Sequence, residues 1–164
     1  MEVTKSHTYD APISKVIDMF ANNDAIVDRY SGMGHHEIEI RECELGADSL
    51  RIESSRVVDI DLPGFAKKVL SPTNTMVQTD TWQLDGDKWR GTFTVDVIGA
   101  PVEMKGRMSL TPDGEQTIHE VTIDMKVKVP LVGGKIADWV GKNEAPKTLD
   151  QEFAAGDSWL AAHA

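Results

Sequence analysis

The strongest constraint on the fold is a change in hydrophobic periodicity along the chain. Between residues 34 and 129, apolar residues recur at every second position, whereas from Val132 to Leu160 they recur at every third or fourth position. Period two is typical of strands that bury one face, and the longer spacing is typical of an amphipathic helix. Turn-forming Gly, Pro and Asp residues divide the first stretch into segments near 36–41, 50–60, 76–84, 89–97, 102–110 and 119–129. The sequence therefore predicts an antiparallel sheet followed by one long helix.

Short turns between the predicted strands allow their registers to be compared. Counting outward from these turns gives three trial cross-strand pairs: Trp82 with Gly91, Phe93 with Gly106, and Met108 with His119. All three pairs place the apolar residues on one face, as a single buried face requires. Large rings opposite glycines are typical of a strongly bent sheet, because glycine permits the curvature.

The N-terminal residues predict one more strand and two short helices. Residues 2–9 can form the strand, and Pro12 suits the first turn of a helix that continues to about Phe20. A second short helix is expected from about Asp24 to Tyr30. These elements precede the six predicted strands.

Two residues interrupt the apolar stripe of the C-terminal helix. Asn143 is polar, and Pro146 cannot donate a backbone hydrogen bond to Lys142. We therefore expect a bend between Lys142 and Pro146, with Asn143 facing the sheet. We also expect the long connection 61–73 and the start of this helix to frame the mouth of any cavity, because long loops often act as lids.

Length and composition limit the number of domains, the classes of partner and the expected location of the protein. A chain of 164 residues is expected to form a single domain, residues 1–164. The formal net charge of −10 repels nucleic-acid phosphates, so no nucleic-acid partner is expected. No apolar run approaches the length of a membrane span and no signal-peptide pattern opens the chain, so we expect a cytoplasmic protein without stable membrane insertion. The single Cys43 excludes an internal disulfide, and the oligomeric state stays open.

Three stretches of the sequence resemble the START/polyketide-cyclase-like (SRPBCC, helix-grip) superfamily. They are Tyr9-Asp10-Ala11-Pro12-Ile13-Ser14-Lys15-Val16 with Phe20, the strands from Trp82 through Gly91, Phe93, Pro101 and Gly106, and Val129-Pro130-Leu131-Val132-Gly133-Gly134. The chain looks closest to a bacterial group of that superfamily whose members carry no assigned function. The resemblance implies an α+β helix-grip fold, in which a seven-stranded curved antiparallel sheet wraps around a long C-terminal helix and two short helices follow the first strand. It also implies a cavity for hydrophobic molecules.

The candidate ligand-binding residues share the inward phase of the predicted strands and helix. The polar members are Arg56, Gln78, Asp80, His119 and Asn143, and the apolar members are Trp82, Phe93, Met104, Met108, Met125 and Phe153. Any one of the polar residues could be satisfied structurally, but as a group they fit an apolar pocket with a few convergent polar groups. The register across the connection 61–73 is open; if Ile60 lies opposite Asn74, Arg56 lies opposite Gln78 with Asp80 as a diagonal neighbour.

The signals for catalysis, metal and cofactor are weak. Asp80 and His119 are the candidates for general acid–base chemistry, but no nucleophile–base pair accompanies them. His35 and His36 are adjacent on a strand and point to opposite faces, so no metal is assigned. The glycines at 133–134 precede a helix without the rest of a phosphate loop, so no cofactor is assigned.

Three functions remain open from the sequence. The first is non-catalytic binding or carriage of a small hydrophobic molecule, such as a lipid, polyketide or quinone. The second is a cyclase/aromatase- or hydratase-type enzyme that acts on a hydrophobic substrate in the same cavity through Asp80 or His119. The third is a protein-interaction domain whose cavity has collapsed.

Overall fold

The computed structural model describes residues 1–164 and has twelve elements in the expected order. They are β1 (Glu2–Tyr9), α1 (Ile13–Phe20), α2 (Asn23–Gly32), β2 (His36–Leu45), β3 (Ser49–Asp59), β4 (Thr73–Asp85), β5 (Lys88–Val97), β6 (Val102–Asp113), β7 (Gln116–Val127), α3 (Gly133–Trp139), a π turn (Val140–Glu144) and α4 (Ala145–Ala162). The strands form one antiparallel seven-stranded sheet in the order β1-β7-β6-β5-β4-β3-β2. β1 and β2 therefore lie at opposite edges, and α1 and α2 connect them.

Two of the three trial registers are confirmed. Trp82 lies opposite Gly91, and Phe93 lies opposite Gly106. A Cβ atom on Gly106 would lie 2.1 Å from the carbonyl oxygen of Thr122 and 2.3 Å from Cζ of Phe93. Only glycine fits at this position, because the Phe93 ring lies directly across it.

The trial register between β6 and β7 is wrong by two residues. Met108 lies opposite Val121 and Leu110 lies opposite His119, whereas Met108 was expected opposite His119. The strands continue to Asp113 and Gln116, so the connection is a tight two-residue turn that opens on Gly114 with φ +62°. Because the error is an even number of residues, every side chain keeps its predicted face.

The hydrophobic core has two parts. The larger cluster joins α1 and α2 to the concave face of the sheet and includes Met19, Ile26, Leu50 and Trp82, all almost fully buried. The smaller cluster packs Leu62, Ala66 and Leu70 of the connection 61–73 against α3 and the end of β7. No helix of the structure is both long and apolar enough to cross a membrane.

The C-terminal helix changes its hydrogen bonding just before Pro146, inside the segment where a bend was expected. The N–H of Ala145 donates to the carbonyl of Val140, five residues back, and α4 begins at Ala145. This wider turn accommodates one residue more than an α-helical turn. Consequently, the next buried residue of the helix after Ala137 is Ala145, eight residues later.

The extra residue moves Asn143 off the buried face. Asn143 is exposed, and its side-chain amide donates to the carbonyl of Trp139 at 2.9 Å. The prediction that Asn143 faces the sheet and the cavity is therefore wrong. It assumed unbroken steps of three or four residues, which the π turn does not preserve.

Candidate ligand cavity

A cavity of about 330 Å³ lies between the concave face of the sheet and the C-terminal helix. Its sheet wall is largely apolar and includes Trp82, Phe93, Val95, Met104, Met108, Val121, Ile123 and Met125. These residues belong to β4–β7 and follow the period-two alternation, so the pattern that buries the core also lines the cavity. On the helix side, Leu149 and Glu152 of α4 close the space.

The exposed residues of the cavity wall mark its mouth. Gly34 and Asp59 lie on one side of it, and Lys147 and Gln151 of α4 lie on the other. The connection 61–73 contributes no residue to the wall. The expectation that this connection frames the mouth is wrong, because it packs its apolar residues into the smaller core cluster instead.

Methionine is concentrated in the cavity wall. Six of the seven methionines of the chain line it: Met1, Met33, Met76, Met104, Met108 and Met125. Methionine is unbranched and polarisable, so it adapts to occupants of irregular shape. The wall can therefore repack around different apolar groups.

A chain of hydrogen bonds forms the polar end of the cavity. Arg56 donates from Nε to Nδ1 of His35 at 3.1 Å and from Nη2 to Oε1 of Gln78 at 2.8 Å. Gln78 in turn donates from Nε2 to Oδ1 of Asp80 at 2.8 Å. The guanidinium carbon of Arg56 also lies 4.1 Å from the centroid of the Tyr30 ring. Arg56 is only 7% exposed, and these contacts hold its buried side chain on several sides.

The register of β3 and β4 differs from the trial alignment by two residues. Arg56 lies opposite Met76, and Val58 rather than Ile60 lies opposite Asn74. The even offset keeps Arg56 on the cavity face, so it reaches Gln78 diagonally. Asp80 was expected as a diagonal neighbour of Arg56; in the structure, Gln78 lies between the two charges in the hydrogen-bond chain.

Burial shifts the proton equilibria of three groups in the cavity wall. It raises the pKa of Asp80 to about 6, against the opposing effect of the Gln78 hydrogen bond. Burial likewise raises the pKa of Glu152, and its carboxylate contributes to the shift at Asp80. Burial, followed by the charge of Arg56, lowers the pKa of His35 to about 4. Near neutral pH, His35 is thus uncharged while Asp80 can exchange a proton.

Eight of the eleven proposed ligand-binding residues line the cavity: Arg56, Gln78, Asp80, Trp82, Phe93, Met104, Met108 and Met125. His119, Asn143 and Phe153 do not. Phe153 is 4% exposed and stacks on His7 with ring centroids 5.0 Å apart.

His119 is a core residue. It is 1% exposed, and its Nδ1 lies 3.2 Å from the hydroxyl oxygen of Tyr9. The rings of Phe20 and Phe153 pack edge-on against it, and burial lowers its pKa to about 3. His119 therefore lies in the core and not in the cavity wall where it was expected, because it pairs with Leu110 rather than with the wall residue Met108.

Among the wall residues missed by reading the sequence, Glu152 and His35 matter most for the electrostatics of the polar end. Glu152 lies three residues after Leu149 on α4, so helical spacing from that buried leucine could have identified it. His35 was considered only as a metal ligand, and its role as the acceptor of an Arg56 hydrogen bond has no local sequence signal.

Comparison with known proteins supports the fold and the family. A family profile described as a protein of unknown function (DUF2505) matches residues 4–160. The protein TTHA0849 from Thermus thermophilus is similar in structure, with a TM-score of 0.71 and 16% identity over 100% of this chain and 99% of that one. A START superfamily protein from Mycobacterium smegmatis has a TM-score of 0.57 and 16% identity over 99% of both chains. Norcoclaurine synthase from Thalictrum flavum has a TM-score of 0.57 and 10% identity over 98% of this chain and 86% of that one.

These likenesses establish the START-like (SRPBCC, helix-grip) fold that the sequence motifs implied. No functionally curated protein matches the chain. Sequence identities this low support the fold alone. The family assignment rests on the family profile, which spans nearly the whole sequence. The chain therefore belongs to the DUF2505 family and has a START-like helix-grip fold.

Proposed function

We propose that this protein binds a small hydrophobic molecule in the cavity and carries it without changing it chemically. The observation that carries the proposal is the cavity itself: about 330 Å³, walled mainly by apolar side chains, with one polar end. Small-molecule sites typically occupy about 300–1,000 Å³ and combine apolar walls with a few orienting polar groups. Space of this size also argues against the protein-interaction domain with a collapsed cavity.

The adaptable wall favours carriage over chemistry. Six methionines around the ligand can accommodate several apolar shapes, whereas catalysis requires a substrate held in one geometry. The START-like fold of the structural neighbours agrees with a hydrophobic ligand.

The test fills the cavity and measures binding of the neutral dye Nile red. In Met104→Trp, the larger side chain enters the cavity, so dye affinity should fall at least about tenfold. Lys105→Trp is the matched control, because Lys105 is the next residue of β6 and is exposed on the other face. Circular dichroism would establish that both variants are folded. Equal dye affinity in both variants would show that the cavity is not the binding site.

A second candidate function is catalysis by Asp80, of the cyclase/aromatase or hydratase kind. It is favoured by one observation, a carboxyl group in the cavity wall whose pKa is raised to about 6, where it can donate and accept protons near neutrality. Native mass spectrometry of protein purified from cells distinguishes the two functions. A carrier returns the bound molecule with an unchanged mass after prolonged incubation, whereas an enzyme yields a product, and Asp80→Asn should stop that conversion.

A further inference from the structure

The Gln78–Asp80 pair at the polar end of the cavity has one donor and one acceptor that the protein leaves free. Gln78 Nε2 carries two hydrogens, of which one is donated to Asp80 Oδ1 at 2.8 Å. The other oxygen of Asp80 accepts no hydrogen bond from the protein and is not fully buried. The free N–H and the free oxygen are neighbours, because the Gln78–Asp80 hydrogen bond joins the two groups.

Arg56 is a poor anion site, because four of its five N–H groups are engaged or buried. Two of its nitrogens already donate, to His35 and to Gln78. The third, Nη1, has no partner and no accessible surface, so a ligand oxygen cannot approach it without displacing the wall. The guanidinium thus mainly fixes the orientation of the Gln78 amide, and apart from the buried Nη1, only the second hydrogen of Nη2 has no protein acceptor.

Charged groups of both signs surround the polar end. Asp80 and Glu152 face the cavity, while Arg56 lies beside them and Arg29 acts on both carboxyls from behind the wall. His35 adds no charge, since its Nδ1 accepts the Arg56 hydrogen bond and the ring is neutral. A charged ligand group would have to be desolvated beside groups of both signs, which disfavours it relative to a neutral polar group.

We propose that the ligand carries a neutral hydroxyl group, as an alcohol or phenol, which accepts from Gln78 Nε2 and donates to the free oxygen of Asp80. A hydroxyl is neutral and has both a donor hydrogen and acceptor lone pairs. A carboxylate has no hydrogen to donate and would meet Asp80 and Glu152, while an ammonium has no lone pair for the free N–H of Gln78. This inference rests on the proposed function, because it assigns the polar end of the same ligand.

The test uses three amphiphiles with the same ten-carbon chain: 1-decanol, decanoate and decylamine. Calorimetry at pH 8 should give decanol a dissociation constant at least about tenfold lower than those of the two charged probes. Tightest binding of decanoate or decylamine would overturn the hydroxyl assignment while leaving the hydrophobic carrier intact. Absence of binding by all three, together with no displacement of Nile red, would overturn the carrier function as well.

Asp80→Asn tests the role of the free oxygen. The carbonyl oxygen of the new amide would accept from Gln78 Nε2, so its NH₂ group would face the cavity and replace an acceptor by a donor. The preference for decanol over decanoate should therefore shrink or reverse. Asp96→Asn is the matched control, because Asp96 is exposed on β5 and loses the same charge outside the cavity. An unchanged preference in Asp80→Asn would refute the assignment.

Discussion

The raised pKa of Asp80 makes a quantitative prediction about the stability of the empty protein. The pKa is about 6 in the folded state against an ordinary value of 3.8. The folded protein thus holds this proton more tightly than the unfolded chain between these two values. Stability is lost as pH rises through this range, and the loss is complete above pH 6.

Asp80→Asn should therefore stabilise the protein, and more so at higher pH. The pKa difference corresponds to about 3 kcal/mol at pH 8 and about 1.5 kcal/mol at pH 5. In a domain of this size, each kcal/mol raises Tm by about 2–4 °C, so the gain at pH 8 is at most about 12 °C. The asparagine oxygen can keep the hydrogen bond from Gln78, which leaves the charge as the main difference.

Urea denaturation of wild type and Asp80→Asn at pH 5 and pH 8 measures both differences. Asp96→Asn should show no comparable gain, because that carboxylate is exposed. A variant less stable than wild type at pH 8, or a gain that does not grow between the two pH values, would contradict the reasoning. Either result would mean that the Asp80 carboxylate is well compensated where it lies.

Further predictions concern the glycine contact, the buried imidazole and the guanidinium. Gly106→Ala should cost more than about 2 kcal/mol, because its Cβ would collide with the Thr122 carbonyl, whereas Gly64→Ala, with no atom within 4 Å of the new Cβ, should be nearly neutral by thermal unfolding. The folded-state pKa of about 3 at His119 predicts that wild-type stability falls by about 2 kcal/mol from this group between pH 7 and pH 5, a loss that urea unfolding should find absent in His119→Phe. Arg56→Met should lower stability by about 3 kcal/mol, because it removes two buried charge-assisted hydrogen bonds; an unchanged Tm would mean that the arginine has no structural role.

Face assignments were predictable from the sequence, whereas the registers were predictable only in part. Alternation identifies the inward residues of each strand, because burying one face imposes period two. It cannot detect an offset of two residues, which preserves every face. The pairing of Trp82 with Gly91 was right because the turn at Gly86 was located correctly. The equally short β6–β7 turn lies one residue further along the chain than expected, which moves the partner of His119 by two positions, and the partner of Arg56 moved by two as well.

An undetected two-residue offset in register affects the prediction of a site more than the prediction of a fold, as the polar end of the cavity shows. Arg56 kept its face and still reached Gln78, since a long side chain spans a diagonal. His119 also kept its face, but two residues of displacement carried it out of the cavity into the core. His35 joined the site through tertiary packing alone, which no local pattern encodes, whereas the position of Glu152 follows from helical spacing after Leu149.

The π turn at Val140–Glu144 gives the C-terminal helix a tolerance to changes in chain length. A π turn is equivalent to one residue inserted into an α-helix, and the wider turn absorbs it locally. Deleting the exposed Asn143 should therefore let the helix close as a continuous α-helix while Leu149 and Glu152 keep their orientation toward the sheet. Related chains one residue shorter in this segment could thus retain the same cavity, with the difference in length confined to a single turn of the helix.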